Sequence, residues 1–118
     1  VCVLQCTAAY PAPADELDLM AMLRLSPVYG YSDHALGIEA AVGAAWMGAA
    51  VVEKHLRLED TPATAPDHGH SIEPALFAEM VRRIRYAERA RGSLVKYVRP
   101  SERALRKWQH APGGLRGG

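Results

Sequence analysis

Two histidines, His34 and His55, each close a short apolar run, and each follows polar side chains: Ser32 and Asp33 before the first, Glu53 and Lys54 before the second. If both runs are neighbouring parallel strands, the two imidazoles stand at equivalent height at the strand ends. Two imidazoles converging there can bind one divalent ion and leave positions open for a substrate. The plainer alternative is a pair of hydrogen-bonded histidines at a sheet edge. Asp33 or Glu53 could ligate the ion or orient an imidazole, or could simply form an ion pair, for example with Lys54. A second cluster, Asp67-His68-Gly69-His70, lies in a long polar stretch. His-x-His binds metal when its backbone is extended, but a solvated loop with incidental histidines is the simpler reading of His68 and His70. Asp67 is better suited to hydrogen bonding a sugar hydroxyl. Tyr10 could stack on a ligand or merely pack. No GxGxxG follows a strand and no Walker-type phosphate loop is present, so nucleotide binding has no support.

The elements that must position these residues come in three similar units. Residues 1–7 are mostly apolar and suit a strand buried on both faces. Pro11 and Pro13 force a loop. Asp15 can cap a helix carrying Leu17, Met20, Leu23 and Leu25 as its apolar stripe. Residues 28–31 form a second short strand, followed by an Ala- and Gly-rich helix over about 37–47 that Gly48 can end in a left-handed cap. Residues 50–56 form the third strand, with a polar loop over 57–70. A helix over 74–91 follows, with Leu76, Phe77, Met80, Val81, Ile84 and Ala87 on one face, Pro74 in its first turn and Gly92 at its stop. Residues 94–98 are ambiguous, 101–109 suit a short helix, and 112–114 and 117–118 read as disordered. Alternating strands and helices predict parallel strands joined by right-handed crossovers. Ligands bind at the C-terminal ends of such strands, where Gln5, Thr7, Ser32–His34 and Glu53–His55 fall.

Composition bounds the possibilities. The chain has 118 residues, 49% hydrophobic and 23% charged, which suits a globular domain. It is too short for a whole (β/α)8 barrel of about 250 residues. No apolar run suits a membrane span, and no leader peptide is recognisable. Cys2 and Cys6 would lie roughly 13 Å apart on one strand face, too far for a disulfide. Free thiols packed as small hydrophobes fit a reducing, cytoplasmic compartment. Residues 93–118 carry six Lys/Arg against one Asp/Glu. This basic tail has no nucleic-acid motif, so it reads as linker or surface helix.

The motifs together resemble the sialic acid synthase family. Residues 3–11, Val-Leu-Gln-Cys-Thr-Ala-Ala-Tyr-Pro, look like its strand-six motif. Gly30-Tyr31-Ser32-Asp33-His34-Ala35-Leu36-Gly37 resembles its strand-seven signature, and Glu53-Lys54-His55 its strand-eight signature. Asp67-His68 and Ser71-Ile72-Glu73-Pro74 match the loop and helix start that follow. The resemblance implies an α/β fold, a partial (β/α)8 TIM barrel of about three parallel units over residues 1–95, with residues 96–118 a basic and partly disordered linker or tail. It implies condensation of phosphoenolpyruvate with N-acetylmannosamine or a related amino sugar to a nine-carbon 2-keto acid, assisted by Mn2+ or Mg2+.

By position, the resemblance makes His34 and His55 the metal ligands. Ser32 contacts phosphoenolpyruvate, Tyr10 and Asp67 hold the amino sugar, Glu53 is a carboxylate at the reacting centre, and Gln5 and Thr7 line the pocket. Ala8 stands where the family commonly has Asn or Ser, and Ala65 where a glycine often precedes the Pro-Asp step. The family's first five strands, with their phosphate-pairing lysines, have no counterpart here. Neither has its antifreeze-like domain, which supplies an arginine to the partner subunit. A homo-oligomer is therefore expected, with no nucleic-acid or membrane partner. The alternatives are a non-catalytic half-barrel that binds metal or self-assembles, and another metal-dependent barrel enzyme such as an aldolase.

Overall fold

The structure, a computed structural model, describes residues 1–109, with side chains through Arg106. Three strands form one parallel sheet in the order β1 (Val3–Cys6), β2 (Tyr29–Asp33), β3 (Val51–Lys54). Three helices follow: α1 (Glu39–Trp46) between β2 and β3, then α2 (Pro74–Arg91) and α3 (Arg103–Gln109). The expected α/β class and parallel strands are therefore present.

Register decides which residues share a face. Leu4 pairs with Gly30 and Gly30 with Val51; Cys6 pairs with Ser32 and Ser32 with Glu53. With a side-chain period of two, these rows share one face. The rows Gln5–Tyr31–Val52 and Asp33–Lys54 occupy the other, which the helices cover. Gly30 is required by close approach: a Cβ there would stand 2.4 Å from the Val51 carbonyl oxygen and 2.5 Å from Leu4 Cδ2. Tyr31 is fully buried against Met22 and Ala44, and its hydroxyl has no hydrogen-bond partner. Burial, then the charges of Asp33 and Cys6, pushes its phenol up to about 12.

β1 is not buried on both faces as expected. Val3, on the helix-covered face, and Cys6, on the opposite one, are both exposed because β1 is an edge strand of the sheet. Both cysteines are free. Cys2 is half-buried, but Cys6 is exposed rather than packed as a small hydrophobe.

The first crossover also departs from expectation. In place of one α-helix there are two short 3-10 turns, Ala14–Glu16 and Leu19–Arg24. Pro13 stands at the first cap and offers no side-chain acceptor. Asp18 interrupts the winding at φ 44°, ψ 55°, a left-handed conformation that aspartate tolerates better than most residues. The interruption changes the phase of the apolar face. Leu17 and Met22 are buried, while Met20, Leu23 and Leu25 are exposed.

The second crossover, through α1, and the helix that follows β3 keep closely to the sequence expectation. α1 buries Ala40, Ala41, Ala44 and Ala45, whose small side chains admit a close neighbour. Gly48, at φ 101°, takes the chain out of it. α2 has Pro74 in its first turn and Gly92, at φ 63°, beyond its end. Met80 and Ala87 are buried and Phe77 and Ile84 half-buried, with Leu76 and Val81 at the exposed margins of the stripe. The α2 helix lies on α1, with Tyr86 edge-on to Trp46 at 6.2 Å between ring centroids.

Residues 94–98 form no helix or strand. A 3-10 turn at Pro100–Glu102 leads into α3. The expected disorder of 112–114 and 117–118 concerns residues outside those described. No helix among the described residues is long and apolar enough to cross a membrane.

Candidate metal and substrate site

The site is built where β2 and β3 end. Asp33 and Lys54 are register partners on the helix-covered face. Lys54 Nζ donates to Asp33 Oδ2 at 3.0 Å, and both side chains are fully buried. Lys54 also donates to the Ala35 carbonyl, and Asp33 Oδ1 accepts the Ala35 amide at 2.9 Å. The expected ion pair is thus present, but buried rather than on the surface. It fixes the relative height of the two strand ends. The next residue of each strand, His34 and His55, projects to the opposite face, where their ring centroids lie 5.2 Å apart. The two imidazoles share one space, as the sequence led us to expect.

Each imidazole is oriented differently. His34 is 6% exposed, and its Nδ1 lies 3.1 Å from the Thr7 carbonyl oxygen. A carbonyl only accepts, so Nδ1 carries the proton and Nε2 keeps its lone pair for a ligand. This is the usual arrangement behind a metal-binding histidine. Cys6 Sγ lies 3.5 Å from the same Nδ1, and the Tyr10 ring covers the imidazole at 4.4 Å between centroids. His55 is half-buried, with Nδ1 3.5 Å from Asp67 Oδ2.

The long loop brings a third imidazole. His70 is 4% exposed and its ring lies 4.7 Å from His55, 6.2 Å from His34 and 5.0 Å from Tyr10. Its Nε2 is 3.6 Å from Asp67 Oδ1, too long for a hydrogen bond, and has no other partner. One ligand atom each from His55, Asp67 and His70 lie within 4.8 Å of one another. Burial lowers the His70 pKa; His55, His34 and Lys54 add to the effect and Asp67 opposes it. The neutral imidazole, the form that ligates, is favoured. His70 is therefore not the incidental solvated histidine suggested by its polar neighbours. Its signal was the Asp67-x-x-His70 spacing, which carries no information about burial. His68 stays apart and half-buried.

The loop is held in place from the sheet. Leu56 and Ile72 form an isolated parallel bridge. The Ile72 amide donates to the His55 carbonyl at 3.0 Å, and the Arg57 amide to the Ile72 carbonyl at 2.9 Å. The Arg57 guanidinium donates to the carbonyls of His68 and Ser71 and to Glu73. Ser71 Oγ donates to the Asp67 carbonyl at 2.6 Å.

The remaining expected site residues divide. Ser32 and Glu53 lie on the His34/His55 face, joined by a 2.6 Å hydrogen bond from the Ser32 hydroxyl to Glu53 Oε1. Tyr10 and Asp67 adjoin the imidazoles. Thr7 contributes its carbonyl to His34, but its hydroxyl donates to the Glu16 carbonyl at 2.9 Å. Gln5 is turned away. It pairs with Tyr31, so alternation puts it on the helix-covered face, where its amide donates to the Leu17 carbonyl at 3.3 Å.

The donor set suits a divalent ion: two or three imidazoles, a carboxylate, and one buried nitrogen left without a partner. Ser32, Glu53 and Tyr10 beside it offer hydroxyl and carboxylate contacts to an oxygen-rich ligand.

The chain is similar to known proteins. Residues 1–96 match the NeuB family. The chain is 40% identical over 108 residues to the human N-acetylneuraminate-9-phosphate synthase, covering 87% of this chain and 30% of that one. It is 39% identical over 106 residues to the N,N'-diacetyllegionaminic acid synthase of Campylobacter jejuni, covering 86% and 31%. The crystal structure of N-acetylneuraminic acid (sialic acid) synthetase from Leptospira borgpetersenii, in complex with citrate, superposes with a TM-score of 0.81 at 27% identity, over 93% of this chain and 40% of that one. The chain thus spans about a third of the length of the curated relatives it matches.

Proposed function

The chain belongs to the NeuB family, and on that footing we propose that it forms strands six to eight of a (β/α)8 barrel that condenses phosphoenolpyruvate with N-acetylmannosamine or a related amino sugar. The observation that carries this reading is the convergence of His34, His55, Tyr10 and Asp67 at the C-terminal ends of parallel strands. The methylene carbon of phosphoenolpyruvate joins the sugar's aldehyde carbon, and the aldehyde oxygen takes a proton. Water adds to the former enol carbon, the carbon–oxygen bond to phosphate breaks, and inorganic phosphate leaves with the nine-carbon 2-keto acid.

His34 and His55 would hold Mn2+ or Mg2+, which when bound acts as a Lewis acid toward the aldehyde oxygen. The Thr7 carbonyl keeps the His34 tautomer fixed for that task. Tyr10 and Asp67 hold the amino sugar, and Ser32 contacts phosphoenolpyruvate. Glu53, held by the Ser32 hydroxyl, is the carboxylate that would move a proton at the reacting centre. Gln5 has no part here, since its amide is engaged on the far face of the sheet. Exposed Val3 and Cys6 on the edge strand β1 support completion by further barrel strands and a homo-oligomeric assembly. The two free thiols support a reducing compartment, the cytoplasm.

The test is phosphate release from phosphoenolpyruvate by the assembled barrel containing this chain. Release should require both an amino sugar and a divalent metal, and substitution of His34 or His55 should abolish it. Release that ignores the sugar, or none with any amino sugar, would overturn the assignment. The same exposed edges favour a second reading, a non-catalytic half-barrel that pairs with a copy of itself. Light scattering on the chain alone decides it: a folded monomer excludes self-pairing.

A further inference from the structure

We propose that His70, together with His55 and Asp67, forms a nitrogen-rich cation site selective for late transition-metal ions of the cobalt(II) and zinc(II) class over magnesium. This rests on the reading that a divalent ion occupies the strand ends, and adds to it a loop imidazole and the class of ion. The first support is the state of His70. It is 96% buried by its 4% exposure, and its Nε2 meets no hydrogen-bond partner. A buried polar nitrogen left in that state costs free energy, and Asp67 at 3.6 Å is too distant to relieve it. An ion accepting the Nε2 lone pair removes the deficit.

The second support is reach. The three donor atoms lie within 4.8 Å of one another. Two donors sharing one ion at about 2.1 Å stand no more than ~4.2 Å apart. Closure on the order of 1 Å is required, and Asp67 can supply it, because its side chain is 60% exposed while His70 is packed in place. The His70 backbone is itself held through Ser71 and Arg57.

The third support is donor chemistry. Magnesium takes oxygen ligands and keeps its waters, whereas imidazole suits the later ions of the Irving–Williams series. Two imidazoles and one carboxylate therefore favour cobalt or zinc. His34 lies further from His70, at 6.2 Å between ring centroids against 4.7 Å for His55, so the added donors gather on the His55 side.

The experiment titrates the full 118-residue chain with Co2+ and with Mg2+, by calorimetry and by the visible absorption of bound Co2+. Folding of each variant is checked by circular dichroism. One Co2+ should bind, with a visible spectrum showing nitrogen coordination, and Mg2+ should bind far more weakly. His70→Ala and Asp67→Asn should each weaken Co2+ binding about tenfold or more. Asp67→Asn replaces an exposed side chain and so tests the site even if His70→Ala does not fold. Binding untouched by Asp67→Asn and His70→Ala but lost in His34→Ala would overturn this inference and leave the His34/His55 pair of the proposed function standing. Equal affinity for Mg2+ and Co2+, or no Co2+ bound by the native chain, would also overturn it. Co2+ binding through His70 without sugar-dependent phosphate release in the assembled barrel would defeat the proposed activity alone.

Discussion

Removing one charge of the Asp33–Lys54 pair should destabilise the chain severely, and the reason lies in how the pair is buried. Both side chains have no solvent exposure, and the separation is 3.0 Å. Lys54→Met leaves the Asp33 carboxylate in the helix–sheet interior with only the Ala35 amide to satisfy it. It also removes the donor to the Ala35 carbonyl. Breaking a buried pair from one side costs about 3–5 kcal/mol, chiefly because the surviving charge is stranded. Against a typical total of about 5–15 kcal/mol, that is a large share of the stability. Neutralising both partners, Asp33→Asn with Lys54→Met, strands no charge. It should therefore cost less than the sum of the single changes by about 2 kcal/mol. Urea unfolding followed by circular dichroism measures all four proteins. The pair also fixes the end of β3 from which His55 projects, so Co2+ affinity should fall with Lys54→Met even where the chain remains folded. A loss below about 1 kcal/mol for Lys54→Met, or strict additivity in the double variant, would refute the reasoning.

Two further outcomes follow from the sheet. Gly30→Ala puts a methyl 2.4 Å from the Val51 carbonyl oxygen, so β2 and β3 must part; a loss of about 1–3 kcal/mol or more is expected, read as a lowered urea midpoint. The Tyr31 phenol is raised from 10.0 to about 12 in the folded chain. Its contribution to stability is fully present below pH 10 and is lost as pH rises from 10 through 12, because the unfolded chain releases the proton first. Tyr31→Phe should flatten the fall of the urea midpoint over that range. At pH 7 it should cost little, since the hydroxyl it removes has no partner.

The parts of the fold legible in the sequence are those fixed by local rules. Pro74 and Gly92 bracket α2 because one suits a first turn and the other a left-handed exit. The convergence of His34 and His55 was legible because each follows its strand by one residue, so parallel pairing carries them together. What stayed hidden depends on the third dimension. The break at Asp18 is a backbone choice that hydrophobic spacing does not encode, and it moved burial from Met20 and Leu23 to Leu17 and Met22. Gln5 was assigned to the site from its place near a strand end. Alternation relative to Ser32 already put it on the other face. His70 was hidden because loop composition reports average polarity, while its burial comes from Arg57 and Ser71 drawing the loop back onto the sheet.

The Leu56–Ile72 bridge gives the loop two independent parts. Its inner limb, from Asp67 to Ile72, is tied to the sheet and inherits the rigidity of β3. Its outer limb, with Glu59, Asp60, Pro62, Ala63 and Thr64 all exposed, has no comparable anchor. Lengthening or shortening the outer limb should therefore leave the imidazole where it stands. Natural variation in that stretch can reshape the rim that an incoming ligand meets while the donors beneath it keep their spacing.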